Sequence, residues 1–75
     1  MDIKEFVIKF ADQFDDTPIE EFTEDTYYKE MDEWSSLTVL GIIALVKEEF
    51  GKTITGKEIR NCETIKDLFN HIQSL

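Results

Sequence analysis

Between Ser36 and Phe50 the chain carries more apolar residues than one face of a helix can hold. The pattern predicts a helix over 36–50, with Gly51 as its C-terminal stop. One stripe, Val39, Ile42, Ile43, Val46 and Phe50, is assigned to the core. A second, Leu37, Leu40, Gly41, Ala44 and Glu48, is assigned to a partly exposed face. A helix apolar on more than one side is either deeply buried or offers a face to something else. The chain has 75 residues, enough for one domain spanning residues 1–75. Domains of that size bury only about 60% of their unfolded surface. Complete burial of both stripes is hard to arrange in so little material, so the second stripe reads as a binding element.

The rest of the chain supplies partners for the first stripe. Ile3, Phe6, Val7, Phe10 and Phe14 recur at helical spacing and predict a helix over Asp2–Phe14, with Asp2 at the positive end of its dipole. Thr55-Gly56-Lys57-Glu58 has the form of a capping box and predicts a short helix through about Asn61. Thr64-Ile65-Lys66-Asp67 opens a last helix through about Ser74, with Ile65, Leu68, Phe69 and Ile72 as its core face. No strand pattern or repeat is present. The expected fold is therefore all-α, with a short third helix and a long first loop over 15–35. A structureless loop of that length is unusual in a small domain. Thr17-Pro18-Ile19-Glu20 predicts a short helical turn inside it, with Thr17 as the cap. Ile19, Phe22, Tyr27, Tyr28 and Met31 are expected to pin the loop to the core.

The net charge of −9 comes from one segment. Residues 12–33 hold Asp12, Asp15, Asp16, Glu20, Glu21, Glu24, Asp25, Glu30, Asp32 and Glu33 against Lys29 alone, and charges elsewhere cancel. Such a surface repels phosphate, which argues against nucleic acid and anionic membranes. It complements a basic protein surface; it also reads simply as a solubilising loop. The longest apolar run, Val39–Val46, is far short of the ~20 residues a membrane span needs, and no secretory segment is evident. A cytoplasmic monomer without membrane insertion is the expectation. Cys62 is the single cysteine, so no internal disulfide is possible, and it reads as a small buried apolar residue. His71 reads as solvent-facing. The acidic loop lacks the ligand spacing of an EF-hand, so no dedicated metal site is expected.

Ser36 is the candidate for chemistry. It opens the 36–50 helix directly after the acidic loop, where unpaired N–H groups favour a phosphate. Serine at a helix start is also an ordinary cap. Here Ser35 and Ser36 are adjacent, leaving one hydroxyl for the cap and one free. A nucleophilic hydrolase is not indicated: the one histidine is far away, and no Gly-x-Ser-x-Gly turn surrounds Ser36.

Ser36-Leu37, Glu48-Glu49-Phe50-Gly51 and Thr64-Ile65-Lys66-Asp67-Leu68, set in a short acidic helical chain with a long first loop, resemble the acyl carrier protein family across essentially the whole sequence. The resemblance implies a four-helix bundle that catalyses nothing itself. It implies 4′-phosphopantetheine carried on Ser36, transferred from coenzyme A by a phosphopantetheinyl transferase whose magnesium sits on the transferase. Acyl groups would ride as thioesters to acyl-transfer, condensing and modifying enzymes of fatty-acid or related biosynthesis. Val39, Ile42, Ile43 and Val46 would line a returning acyl chain, worth about 0.8 kcal/mol per buried methylene. Trp34 would shield or shape the attachment point.

Three features depart from the family pattern. Ser35 stands where the family usually has aspartate, and the spacing to Leu37 and Phe50 selects Ser36 for the arm. Met31-Asp32-Glu33-Trp34 replaces a Leu-Gly pair. Thr38 and Gly41 stand where acids are frequent, and Gly41 costs about 1 kcal/mol relative to alanine within a helix. Partner recognition is therefore expected from the apolar face of Leu37, Leu40, Gly41 and Ala44, with Glu48 at its end and Glu30, Asp32 and Glu33 steering from the side. A polyketide, peptidyl or D-alanyl carrier of the same fold remains open, as does an unmodified acidic adaptor for a basic protein surface.

The charge distribution predicts its own test. Screening the repulsion across residues 12–33 stabilises the fold, so added salt or divalent cations raise the melting temperature. A melting temperature indifferent to salt contradicts this.

Overall fold

The computed structural model describes all 75 residues. It contains four helices and no strand: α1 (Ile3–Ala11), α2 (Ser36–Phe50), α3 (Gly56–Asn61) and α4 (Ile65–Gln73). Local chemistry fixes their ends. The Asp2 carboxylate accepts the Glu5 N–H at 2.9 Å, and Thr64 Oγ1 accepts the Asp67 N–H at 3.1 Å. The Thr55 hydroxyl accepts the Glu58 N–H at 3.2 Å while Glu58 accepts the Thr55 N–H at 3.0 Å, so the expected capping box forms. Gly51 ends α2 at φ 65°, a left-handed conformation that glycine adopts without a Cβ penalty.

α1 is shorter than the expected Asp2–Phe14. The N–H groups of Gln13 and Phe14 bond to the carbonyls of Phe10 and Ala11, three residues back. The chain tightens there and still delivers Phe14 to the core, where it is buried. In α2, Val39, Ile42 and Val46 are buried as expected, but Ile43 and Phe50 are only half-buried. Leu45, which neither stripe included, completes the core together with the buried Thr38.

One hydrophobic core joins all four helices, and it includes aromatic rings from α1 and from Phe14 just beyond it. The Phe6 ring lies 5.4 Å from that of Phe69 and 5.8 Å from that of Phe50. Phe10 lies 5.3 Å from Tyr28, and Phe14 lies 5.1 Å from Phe22. These tilted and edge-on separations are the favourable range for aromatic pairs.

The long connection holds two 3₁₀ turns, Ile19–Glu21 and Tyr28–Glu30. Phe22 and Tyr28 are buried, and Met31 and Trp34 pack against the core. Ile19 and Tyr27 do not serve as anchors: they are 43% and 55% exposed. Tyr27 and Tyr28 are neighbours on the chain, and the turn sends only Tyr28 inward.

Tyr28 does more than fill space. Its hydroxyl donates to the Ile59 carbonyl and lies 3.2 Å from the Cys62 carbonyl. Lys29 Nζ donates to the Arg60 carbonyl at 2.6 Å. These carbonyls belong to the last turn of α3, a six-residue helix whose end has no intrahelical partner. In the next turn, the N–H groups of Ile65 and Lys66 at the start of α4 donate to the carbonyls of Thr26 and Glu24 at 3.3 and 2.8 Å. The connection therefore satisfies the end of α3 and the start of α4 together.

Replacing Tyr28 by Phe keeps the ring and leaves the Ile59 carbonyl buried without its donor. The expected loss is about 1–3 kcal/mol. It is read as a lower urea midpoint at unchanged denaturant slope; an unchanged midpoint contradicts this role for the hydroxyl.

Candidate functional site

The ground around Ser36 is built from the two ends of the connection. Glu33 Oε2 accepts the Asp15 N–H and Oε1 accepts the Asp16 N–H, each at 3.0 Å. The Thr17 hydroxyl donates to Oε1 as well. One carboxylate thus ties residues 15–17 to the residue three places before Ser36. Thr17 is not the cap of the following turn, which has no side-chain cap; its hydroxyl is committed to Glu33. Beside it, Trp34 stacks on Phe14 at 6.5 Å and sits 5.0 Å from Tyr28. Trp34 is a wedge against the core as much as a neighbour of the serines.

Ser35 occupies the N-cap of α2 in extended conformation. Thr38 closes this end: its hydroxyl accepts the Ser35 N–H at 2.9 Å and donates to the Ser35 carbonyl at 2.7 Å. Ser36 is the first residue of the helix and is exposed. A 15-residue helix presents its positive end here.

Next to Ser36 lies an apolar strip. Leu37 is 76% and Leu40 62% exposed, the two most exposed large apolar side chains of the chain. Ala44 and Glu48 continue the strip into solvent. Gly41 differs from its neighbours. It is half-buried, and a Cβ built on it would lie 2.5 Å from Gln13 Oε1. Gly41 therefore sits under the Gln13 side chain at the end of α1, rather than on open face. Among the loop acids, Glu30 and Asp32 are exposed, whereas both Glu33 oxygens are occupied internally.

The other singled-out positions are placed as follows. Val39, Ile42 and Val46 point into the core, Ile43 lies at its edge, and no pocket opens beside them. An acyl chain reaches these side chains only if helices move apart. Cys62 is half-buried rather than buried, and its thiol is pushed up by burial and by the Asp67 carboxylate. A thiol held neutral is a poor nucleophile. His71 does not face solvent freely: its Nε2 lies 2.6 Å from Glu58 Oε2. No three His, Cys, Asp or Glu side chains gather as a metal site, and no helix is long and apolar enough to cross a membrane.

The sequence carried a signal for Thr38, whose hydroxyl stands three residues after Ser35 at capping distance. It carried none for Glu33, whose partners are 16 to 18 residues away.

Comparison with protein-family models, curated proteins and solved structures finds no match.

Two carboxylates in this fold titrate below the ordinary glutamate range. Glu33 is lowered first by the Thr17 hydroxyl and then by the Asp16 and Asp15 N–H groups. Glu58 is lowered by its bond to His71 and by the Thr55 N–H. A lowered folded pKa contributes stability that is complete above the unfolded value, about 4.3, and is lost as pH falls through the folded one. The stability gap between the wild type and a Glu33→Gln variant should therefore be constant from pH 7 to 5 and shrink below about pH 4.3. Urea midpoints at each pH measure it, and a gap that persists to pH 2.5 contradicts the assignment.

Proposed function

We propose that this chain is an acyl carrier protein that bears 4′-phosphopantetheine on Ser36. The observation that supports it most directly is the placement of Ser36. An exposed hydroxyl stands at the first residue of the longest helix, beside an exposed apolar strip, on ground held by Glu33 and Thr38. A transferase would join Ser36 Oγ to the pantetheine-side phosphorus of coenzyme A, release adenosine 3′,5′-bisphosphate, and take up the hydroxyl proton. The phosphodiester would then lie at the N-terminal end of α2, where helix N–H groups favour an anion. The helical bundle agrees with the carrier architecture that the sequence resembles.

The carried group is an acyl thioester on the arm, handed to enzymes of fatty-acid or related biosynthesis. Leu37, Leu40 and Ala44 form the apolar centre of the docking face, and Glu48, Glu30 and Asp32 its acidic margin. A partner with an apolar patch rimmed by Lys and Arg complements it. Glu33 is occupied internally by neutral donors and keeps its charge, so it adds to the field while direct contact falls to the other loop acids.

Incubation with coenzyme A, magnesium and a promiscuous phosphopantetheinyl transferase tests the reading. Intact mass should rise by one phosphopantetheinyl group, mapped to Ser36, retained in Ser35→Ala and absent in Ser36→Ala. Protein that stays unmodified with several transferases, yet still binds a basic partner through Leu37 and Leu40, belongs instead to the class of acidic adaptors.

A further inference from the structure

α3 is held at its two ends by bonds of different kinds. At the C-terminal end, the buried Tyr28 hydroxyl reaches the Ile59 carbonyl and Lys29 reaches that of Arg60. Neither bond changes across neutral pH. At the N-terminal end, one Glu58 oxygen closes the capping box on Thr55, and the other meets His71 of α4 at 2.6 Å. Both side chains of that pair are about one-third exposed, and the imidazole is charged only when protonated.

We infer that Glu58 and His71 form a protonation-dependent latch that holds the first turn of α3 against α4, and that this turn frays as far as Ile59 when the latch weakens. With His71 protonated, the bond joins an imidazolium to a carboxylate, the stronger charge-assisted kind. With His71 neutral, the ring donates only in the tautomer that keeps its proton on Nε2. Imidazole changes charge in the pH 5–8 range, so the latch loosens as pH rises through it.

On α3 itself the Arg60 guanidinium lies over Gly56, 3.1 Å from where a Cβ would stand, and its charge does not vary with pH. From the α2–α3 connection, Lys52 Nζ is engaged by the Ile72 carbonyl at 3.0 Å. On α4, Asp67 is committed to the Thr64 cap one turn away. The Cys62 thiol is pushed up and stays neutral. α1 and α2 meet α4 through Phe6 and Phe50 on Phe69, which carry no charge.

What the first turn of α3 covers gives the latch its consequence. A Cβ on Gly56 would sit 3.6 Å from Val39 Cγ1, so this turn lies over the α2 side chain one helical turn beyond Ser36. The Ile59 side chain is fully buried and anchors the rest of α3, so the fraying ends there. Loosening uncovers Val39 from the Ser36 side of the bundle. The latch does not depend on modification of Ser36, so it stands or falls separately from the carrier reading.

Amide hydrogen exchange on the unmodified protein is the test. The Glu58 and Ile59 N–H groups, bonded to the Thr55 hydroxyl and carbonyl, report the first turn. After correction for intrinsic rates, their protection should fall on the order of two- to five-fold from pH 5.5 to 8, the range of an exposed ion pair. Val46 in α2 should not change. In His71→Gln the α3 protection should be independent of pH, and in the wild type the Glu58 amide shift should titrate with the same midpoint as the His71 ring. PH-independent protection in the wild type, or a slope that survives in His71→Gln, overturns the inference.

Discussion

The hydroxyl of Tyr28, buried against the end of α3, is the contact on which the arrangement of the short helices depends. A helix of six residues has too few internal bonds to hold itself in water. It persists because its capping box, its buried Ile59 and the donors supplied by Tyr28 and Lys29 act together. The Tyr28 ring also packs on Phe10 and Trp34. One side chain thus links α1, the connection and α3. Its phenol is pushed far up by burial, so it remains a neutral donor well above neutral pH. The connection behaves as an internal strut, and its backbone carbonyls at Glu24 and Thr26 extend that role to the start of α4.

Much of this organisation is legible in the residues, because it is set by local periodicity and capping chemistry. The range of α2, the cap at Thr55, the cap at Thr64 and the stop at Gly51 are local signals and appear where they are expected. The face carrying Leu37, Leu40 and Ala44 is exposed because the opposite residues of α2 are consumed by the core. The misplacements come from contacts between distant segments. α1 stops early because the chain tightens to bring Phe14 inward. Gly41 is covered because Gln13, beyond the end of α1, folds over it. His71 finds Glu58 across 13 residues. None of these follows from spacing along one helix, and the positions of Glu33 and Tyr27 are likewise decided by what the connection closes upon.

The acidic segment is also less uniform than its composition. Glu24 lies near Lys66 at 3.8 Å, and Lys29 lies near Glu63 at 3.6 Å. Glu33 is consumed by three donors of the same segment. Exposed pairs of this length contribute little individually, so their role is mainly orientation. Glu30 and Asp32 remain exposed. The dense charge therefore divides into a part that shapes the connection and a part that faces outward.

The division of α2 between two tasks explains why the area around Ser36 is supported from its far side, by side-chain bonds and by Trp34, rather than by Leu37 and Leu40. Leu37 and Leu40 cannot help bury the helix start while they remain exposed. Thr38 and Trp34 must then fix that end from the other side, one by reciprocal bonds to Ser35 and one by stacking on Phe14. Glu33 completes the support by drawing residues 15–17 to the same place. A side chain on this helix start is consequently both presented and steady. Its hydroxyl is exposed without any part of the core being opened. The cost of that presentation is apolar surface left in water beside Ser36, and a docked partner would remove it. The same residues that leave the isolated domain less than fully buried are therefore the ones on which the proposed docking face rests.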